Sequence, residues 1–228
     1  MLKLGLDLSL SSIRPQGVWS PDDEATLVAW WQKGVGITLN AADVSQWDDS
    51  SPNGHDMAQA TASEQPAYSS GVLTFDQSND NNLVTGSQIS LGDDFTVGIK
   101  ISPTSPVADA GTFLADNTTS GELFKYQTNS RITVKIDGSA ATNLDLDSGT
   151  FGDDYLVITR RSDVFQLYQN GTGQTGTTPT LSGTADIDCI GIRKTDIDGF
   201  DGTIEEIQIY SSSDTKLTTN VNSYLAEI

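Results

Sequence analysis

The residues best equipped for chemistry lie in three short polar stretches. The stretch "QWDDSSPNGHDM" (46–57) places the chain's single histidine, His55, among Asp48, Asp49, Ser51 and Asp56. A Ser-His-Asp nucleophile or a metal centre would need such a set. A nucleophilic serine also requires an exposed elbow such as G-x-S-x-G, and the sequence holds none. Pro52-Asn53-Gly54 is strong turn chemistry, because Asn and Gly accept positive φ. Asp49 and Ser51 are placed to hydrogen-bond the backbone of such a loop, and His55 follows as an ordinary polar loop residue. The stretch reads as a turn.

The second stretch, "KTDIDGFDGTIE" (194–205), sets Asp196, Asp198, Gly199 and Glu205 at positions 3, 5, 6 and 12 of an EF-hand loop. Lys194 at position 1 and strand-like flanks defeat that motif. Asp196, Asp198 and Asp201 remain a candidate irregular oxygen site for Ca2+. Asp76, Asp80 and Asn82 of "DQSNDNN" are the second candidate. The competing reading is that Asp-rich loops make turns and solvate the surface. Cys189, the only cysteine, excludes an intrachain disulfide; without a neighbouring cation it reads as a small buried strand residue.

The elements that would position these groups are strands. The chain has 228 residues, enough for one large β domain, with 36% hydrophobic and 19% charged residues. Its acid is mostly aspartate, a residue of turns and caps. A formal charge of −19 repels nucleic acid and anionic membrane surfaces. No apolar run approaches a membrane span. In "DFTVGIKI", Phe95, Val97, Ile99 and Ile101 share one face; in "RITVKID", Ile132, Val134 and Ile136 do the same. Such alternation predicts half-buried antiparallel strands, and its repetition between turns predicts a sandwich or barrel.

Both ends depart from this pattern. Leu2, Leu4, Leu6, Leu8 and Leu10 alternate with polar or small residues, unlike the continuous apolar run of a secretory signal, and predict a strand with one leucine face. That face either completes the domain's own sheet or docks on a neighbouring protein by strand addition. "SPDDEATLVAWWQKG" opens with the signals of a helix, while "LVAWW" reads equally as a buried strand. On a strand Trp30 and Trp31 point to opposite faces, so Trp19, Trp30 and Trp31 are candidates for an exposed ligand platform. Val221, Tyr224 and Leu225 predict a short C-terminal helix, with Thr218 and Thr219 as candidate caps. Arg160–Arg161 reads as a solvated pair at a strand end.

"VSQWDDSSPNGHDMAQ" resembles the W-x-D-x-S-x-x-G opening signature of concanavalin A-like jelly rolls of the laminin-G type, with Trp47, Asp49, Ser51, Asn53 and Gly54 on the pattern. "GVLTFDQSNDNNLV" is similar to the family's F-D-G-x-x-D-x-L segment through Phe75, Asp76 and Asp80, although Gln77 replaces the usual glycine. "FDGTIEEIQIY" and "NSYLAEI" resemble its final strand and terminal helix. The resemblance implies an all-β, antiparallel two-sheet jelly-roll sandwich over residues 20–228, preceded by an arm at 1–19 and closed by a short helix. Its enzymatic branch cleaves β-glucans with paired glutamates on one strand. Glu205 and Glu206 are adjacent and on a regular strand would face opposite ways, so no enzyme is expected. The chain also looks like jelly-roll proteins of marine tailed phages. That resemblance implies a virion surface structural or attachment protein, docked through its arm on other virion proteins or on copies of itself, with a host-surface glycan as a possible ligand. The alternative function is a carbohydrate-binding lectin module, with or without Ca2+.

Overall fold

The computed structural model describes residues 18–104, 111–118, 123–136, 139–193 and 198–228. Leu2, Leu4, Leu6, Leu8, Leu10 and Asp196 lie outside the described residues. The strands, in chain order, are β1 (Leu27–Trp31), β2 (Ile37–Asn40), β3 (Asp43–Trp47), β4 (Met57–Ala58), β5 (Ala67–Ser69), β6 (Val72–Phe75), β7 (Leu83–Leu91), β8 (Phe95–Pro103) and β9 (Gly111–Ala115). They continue with β10 (Leu123–Thr128), β11 (Arg131–Lys135), β12 (Thr142–Asp145), β13 (Asp154–Arg161), β14 (Val164–Gln169), β15 (Thr172–Gly173), β16 (Ala185–Ile190) and β17 (Gly202–Tyr210), before helix α1 (Thr215–Leu225).

The strands form a two-layered antiparallel sandwich. The front layer runs β15–β14–β13–β8–β17, and β1 and β6 share the outer edge of β17. The back layer runs β12–β11–β10–β9–β16–β7–β4–β3–β2. β5 joins β3 to β6 and links the two layers at one side. Phe95, Val97, Ile99 and Ile101 of β8 meet Ile132, Val134 and Ile136 of the opposing layer in one core, as their alternation predicts. Trp47 and Met57 are fully buried in that core. Each large apolar side chain removed from water there contributes roughly 1.5–3 kcal/mol.

The helix start predicted at Ser20 is a single turn. Ser20 donates its N–H to Asp23 Oδ2 (2.9 Å), and a 3-10 turn spans Pro21–Asp23 before the chain extends into β1. β-branched and aromatic residues at 28, 30 and 31 favour the strand once sheet partners are present. The C-terminal helix forms, but its cap is Asp214, whose Oδ1 accepts from Lys216 N (2.7 Å) and Leu217 N (3.4 Å). Thr218 and Thr219 lie inside the helix and turn their hydroxyls onto carbonyls four residues back. Leu217, Val221 and Leu225, four residues apart, pack with Leu27, Trp30, Val157 and Tyr210 on the outer face of the front layer. Gly98 is what lets the helix sit so close: a Cβ there would stand 2.5 Å from Val221 Cγ1. No helix among the described residues is long and apolar enough to cross a membrane.

Candidate functional site

The tryptophan-aspartate loop is a latch. Asp49 accepts from Trp30 N (2.9 Å), Ser51 N (2.8 Å), Ser51 Oγ (2.6 Å) and His55 N (2.9 Å). Asn53 donates its amide protons to the carbonyls of Leu27 and Val28, and Ser51 Oγ also reaches Val28 O. The loop therefore ties itself to β1, and His55 only faces Ser87 Oγ at 3.0 Å. The turn reading of this stretch agrees with its hydrogen bonds, and its carboxylate is committed to backbone.

The two aspartate-rich loops are similarly committed. Asp198 pairs with Lys125 Nζ at 2.9 Å and with Arg193 Nη2 at 2.6 Å, one cation on each carboxylate oxygen. Burial raises its pKa, but the two cations outweigh that and hold it below the ordinary carboxylate range. A site whose aspartate is already neutralised by two side chains is a poor cation site, so Asp198 is corrected from candidate ligand to ion-pair centre. Asp201 contributes its backbone carbonyl to Thr104 N. Asp76 caps the 3-10 turn at Gln77–Asn79, accepting from Ser78 N, Ser78 Oγ and Asn79 Nδ2. Asn82 bonds Gln59 and the carbonyl of Asp80, which sits at φ 52. Among the described residues, no group of three or more metal-ligating side chains comes together.

The tryptophan platform is also corrected. Trp31 is fully buried between the layers and donates to His55 O. Trp30 faces the opposite way, as expected, but that face is covered too: it is 3% exposed under α1 and donates to Glu206 Oε1 at 2.8 Å. Trp19 is half-buried, edge-on to Tyr224 at 6.1 Å and tilted against Tyr210 at 6.4 Å. Packing of the domain thus begins inside the span assigned to the arm. Beside Trp19 a small cavity of about 190 Å³ opens between Trp30, Gln32, Tyr224 and Glu227.

Glu205 and Glu206 do not separate as a regular strand would require. The register of β17 on β8 shifts between Ile204 and Glu206. In consequence both carboxylates meet Lys33, Glu205 through the ammonium (2.5 Å) and Glu206 through the backbone N–H (3.2 Å). Glu206 is 1% exposed, and burial raises its pKa. Trp30 covers Glu206, while Glu205 is partly exposed beside Lys33. Arg160, read as solvated, is entirely buried; it donates to the carbonyls of Gly92, Leu181 and Gly183 and to Asp163 (2.5–2.9 Å), clamping three loops.

One open site is a groove of about 430 Å³ on the outer face of the front layer, beside α1. Its floor holds Tyr155 of β13 and Tyr168 of β14, the latter paired with Val157 and so one step along the same face. The rim is the Asn170–Gly171 hairpin turn, with φ of 49° and 78°, joining β14 to β15. Asn170 accepts Tyr155 N–H (3.0 Å) and donates to Asp154 (2.6 Å), which fixes the rim to the floor. The wall is the helix face carrying Thr215, Thr218, Thr219, Asn222 and Ser223. Asn222 Oδ1 is buried in that wall with no partner among the described residues. Two aromatic rings beside hydroxyls and an amide, with no charged lining residue among the described residues, suit a polar uncharged ligand with apolar faces. Sequence reading missed the groove. Its other half comes from a helix some fifty residues away, and only the Asn-Gly turn and the threonine-rich stripe were visible as signals.

Among solved structures, Trypanosoma rangeli sialidase in complex with sialic acid superposes with a TM-score of 0.56 at 15% identity, over 90% of this chain and 33% of that one. Domain 4 of AbnA, an extracellular arabinanase from Geobacillus stearothermophilus in complex with arabinotriose, matches at TM-score 0.54 and 14% identity over 89% and 97% of the two chains. Botulinum neurotoxin type C, whose cell entry depends on interaction with two ganglioside molecules, gives 0.57 and 11% over 90% and 52%. The chain spans about a third of the sialidase's length. At these identities the likeness is one of fold. No curated protein matches the sequence. Residues 75–216, more than half of the chain, match the Laminin G 3 family, described as the concanavalin A-like lectin/glucanases superfamily. Together with the antiparallel two-layered sandwich, that match means that the chain belongs to the concanavalin A-like lectin/glucanase superfamily.

Proposed function

We propose that this chain is a non-catalytic carbohydrate-binding module that takes a glycan in the groove between α1 and β13–β14. The observation that carries the reading is the pairing of Tyr155 and Tyr168 with a hydroxyl- and amide-lined wall. Sugar rings present apolar faces to aromatic side chains and hydroxyls to polar ones, and this lining supplies both. Several structural neighbours bear on the same reading, since sialic acid, arabinotriose and gangliosides are named with them. Glycoside hydrolysis needs two carboxyl groups facing one bond. Among the described residues the groove lining contains no carboxylate, which supports binding without turnover. The test is glycan-array binding of the full chain beside its Tyr168→Ala variant: loss of binding in the variant supports the groove, and equal binding places the sugar elsewhere.

A second reading places the module on a virion surface, docked through residues 1–19. The alternating leucines Leu2–Leu10 favour it, because a one-sided strand needs a partner surface. Co-sedimentation with candidate particles, for the full chain and for one with Leu4 and Leu6 changed to Ser, tests it; equal sedimentation of the two would sink it.

A further inference from the structure

The wall of the groove has an unusual donor and acceptor balance. Thr218 Oγ1 donates to Asp214 O (3.0 Å), Thr219 Oγ1 to Thr215 O (2.9 Å), Ser223 Oγ to Thr219 O (3.0 Å), and Asn222 Nδ2 to Thr218 O (2.9 Å). A hydroxyl has one proton and two lone pairs, so the hydroxyls of Thr218, Thr219 and Ser223 have given their donor to the helix and offer acceptor oxygen to the groove, while the Asn222 amide keeps a second N–H. The remaining amide oxygen, Asn222 Oδ1, is an acceptor still without a partner. At the head of the groove Thr215 Oγ1 accepts from Arg161 Nη1 (3.2 Å), and the rest of that guanidinium is turned onto Ser213. The exposed amides of the first helical turn are occupied by Asp214.

Among the described residues no lysine, arginine or histidine lines the groove, and the chain carries a formal charge of −19. A carboxylated sugar entering here would meet a wall rich in acceptor oxygens, find only neutral donors (the second Asn222 N–H and the Thr215 and tyrosine hydroxyls) and no lining cation, and face a repulsive field. A neutral sugar would bring hydroxyl donors to waiting oxygens. We infer that the groove selects neutral, hydroxyl-donating glycans and rejects acidic ones such as sialylated or uronic-acid chains. This inference rests on the binding reading above and deepens it. It also separates the chain from those structural neighbours that are named with sialic acid or gangliosides.

The test is binding of the full chain to matched pairs that share a core: lactose beside 3′-sialyllactose, and xylo-oligosaccharides with and without glucuronic acid branches, at low and at 0.5 M salt. The expected result is at least tenfold tighter binding to the neutral member of any pair bound. That binding changes little with salt, because no charge pairing contributes. Thr219→Lys, on the exposed helix face, adds a cation to the wall and is expected to raise affinity for the acidic member at least fivefold at low salt, while Tyr168→Ala abolishes both. Equal or tighter binding of the acidic member, lost in Tyr168→Ala, would overturn the selectivity and leave the binding groove standing. Glycan binding unaffected by Tyr168→Ala, or none to any glycan, would overturn the groove and the selectivity with it.

Discussion

Replacing Asp49 with Ala tests whether the signature loop is a latch or a site. The carboxylate receives four hydrogen bonds at 2.6–2.9 Å, three of them from backbone N–H groups of Trp30, Ser51 and His55. Bonds to a charged acceptor are worth about 1.5–3 kcal/mol each when the donor is left buried, and much less where water can replace the lost partner. Trp30 N lies in the interior of β1, so it loses most; Ser51 N and His55 N are in a partly exposed loop and are partly rehydrated. The sum is roughly 3 kcal/mol. For a chain of this size each kcal/mol shifts Tm by about 2–4 °C, so the variant should melt about 6–12 °C lower. Asp49→Asn keeps one acceptor oxygen but turns an NH2 toward donors, and should fall about midway. Differential scanning calorimetry gives the shift, and array binding at 10 °C, where the variants remain folded, gives the function. A Tm within 2 °C of the parent, or a folded variant that no longer binds glycan, would refute the latch and return this loop to the list of candidate sites.

Three further substitutions probe other parts of the same construction. Arg160→Met removes a buried guanidinium that holds the carbonyls of Gly92, Leu181 and Gly183; it should cost about 3–5 kcal/mol in urea unfolding, and Arg160→Lys should recover less than half of that because an ammonium cannot span the fork. Gly98→Ala puts a methyl 2.5 Å from Val221 Cγ1, so α1 must lift; the expected cost is about 1–3 kcal/mol, with glycan affinity falling alongside stability, and unchanged affinity would detach the groove from the helix. Asp198→Asn leaves Lys125 and Arg193 without their carboxylate. Because the folded pKa of Asp198 is depressed, its contribution is present above the unfolded carboxylate value near ~3.9 and is lost as pH falls through the folded value. The variant should therefore be less stable by about 1 kcal/mol at pH 7, a figure discounted for solvent screening, with the gap closing toward pH 2; a gap that widens in acid contradicts the ion-pair assignment.

Strand alternation made the sandwich legible, because a period of two with one buried face leaves few other architectures. Phe95, Val97, Ile99 and Ile101 went to the core as their spacing required. The loop chemistry of Asp49 and Ser51 was legible for a related reason: turn residues act on their own neighbours. Long-range facts were hidden. Trp30 looked exposable because a strand's second face faces water unless something covers it, and nothing near residue 30 in sequence announces Tyr224 or Val221. Arg160 looked solvated because its acceptors are main-chain carbonyls, which leave no mark in composition. Asp198 looked like a calcium ligand because Lys125, one of its two cations, is more than seventy residues away.

The groove follows from a mismatch of widths. A helix with its side chains is about 10–12 Å across, whereas neighbouring strands are about 4.8 Å apart, so one helix covers roughly two strands. Here α1 sits over β8 and β13, held by Gly98 and Val157 beneath it and by the bond from Thr96 Oγ1 to Ser212 O (2.7 Å) at its head. On one side the uncovered sheet is filled by Trp19, Trp30 and Tyr224, with each tryptophan edge-on to Tyr224. On the other side the sheet of β13, β14 and β15 extends past the helix, and among the described residues Tyr155 and Tyr168 form the floor of the gap there. The polar stripe of α1 necessarily turns toward that gap, because its apolar stripe is committed to the sheet. On the proposed reading, stability and recognition divide one eleven-residue helix between them: Leu217, Val221 and Leu225 hold it down, and Thr215, Thr219, Asn222 and Ser223 line the groove. Changes on the second set should alter ligand preference at nearly constant Tm, and changes on the first should alter both.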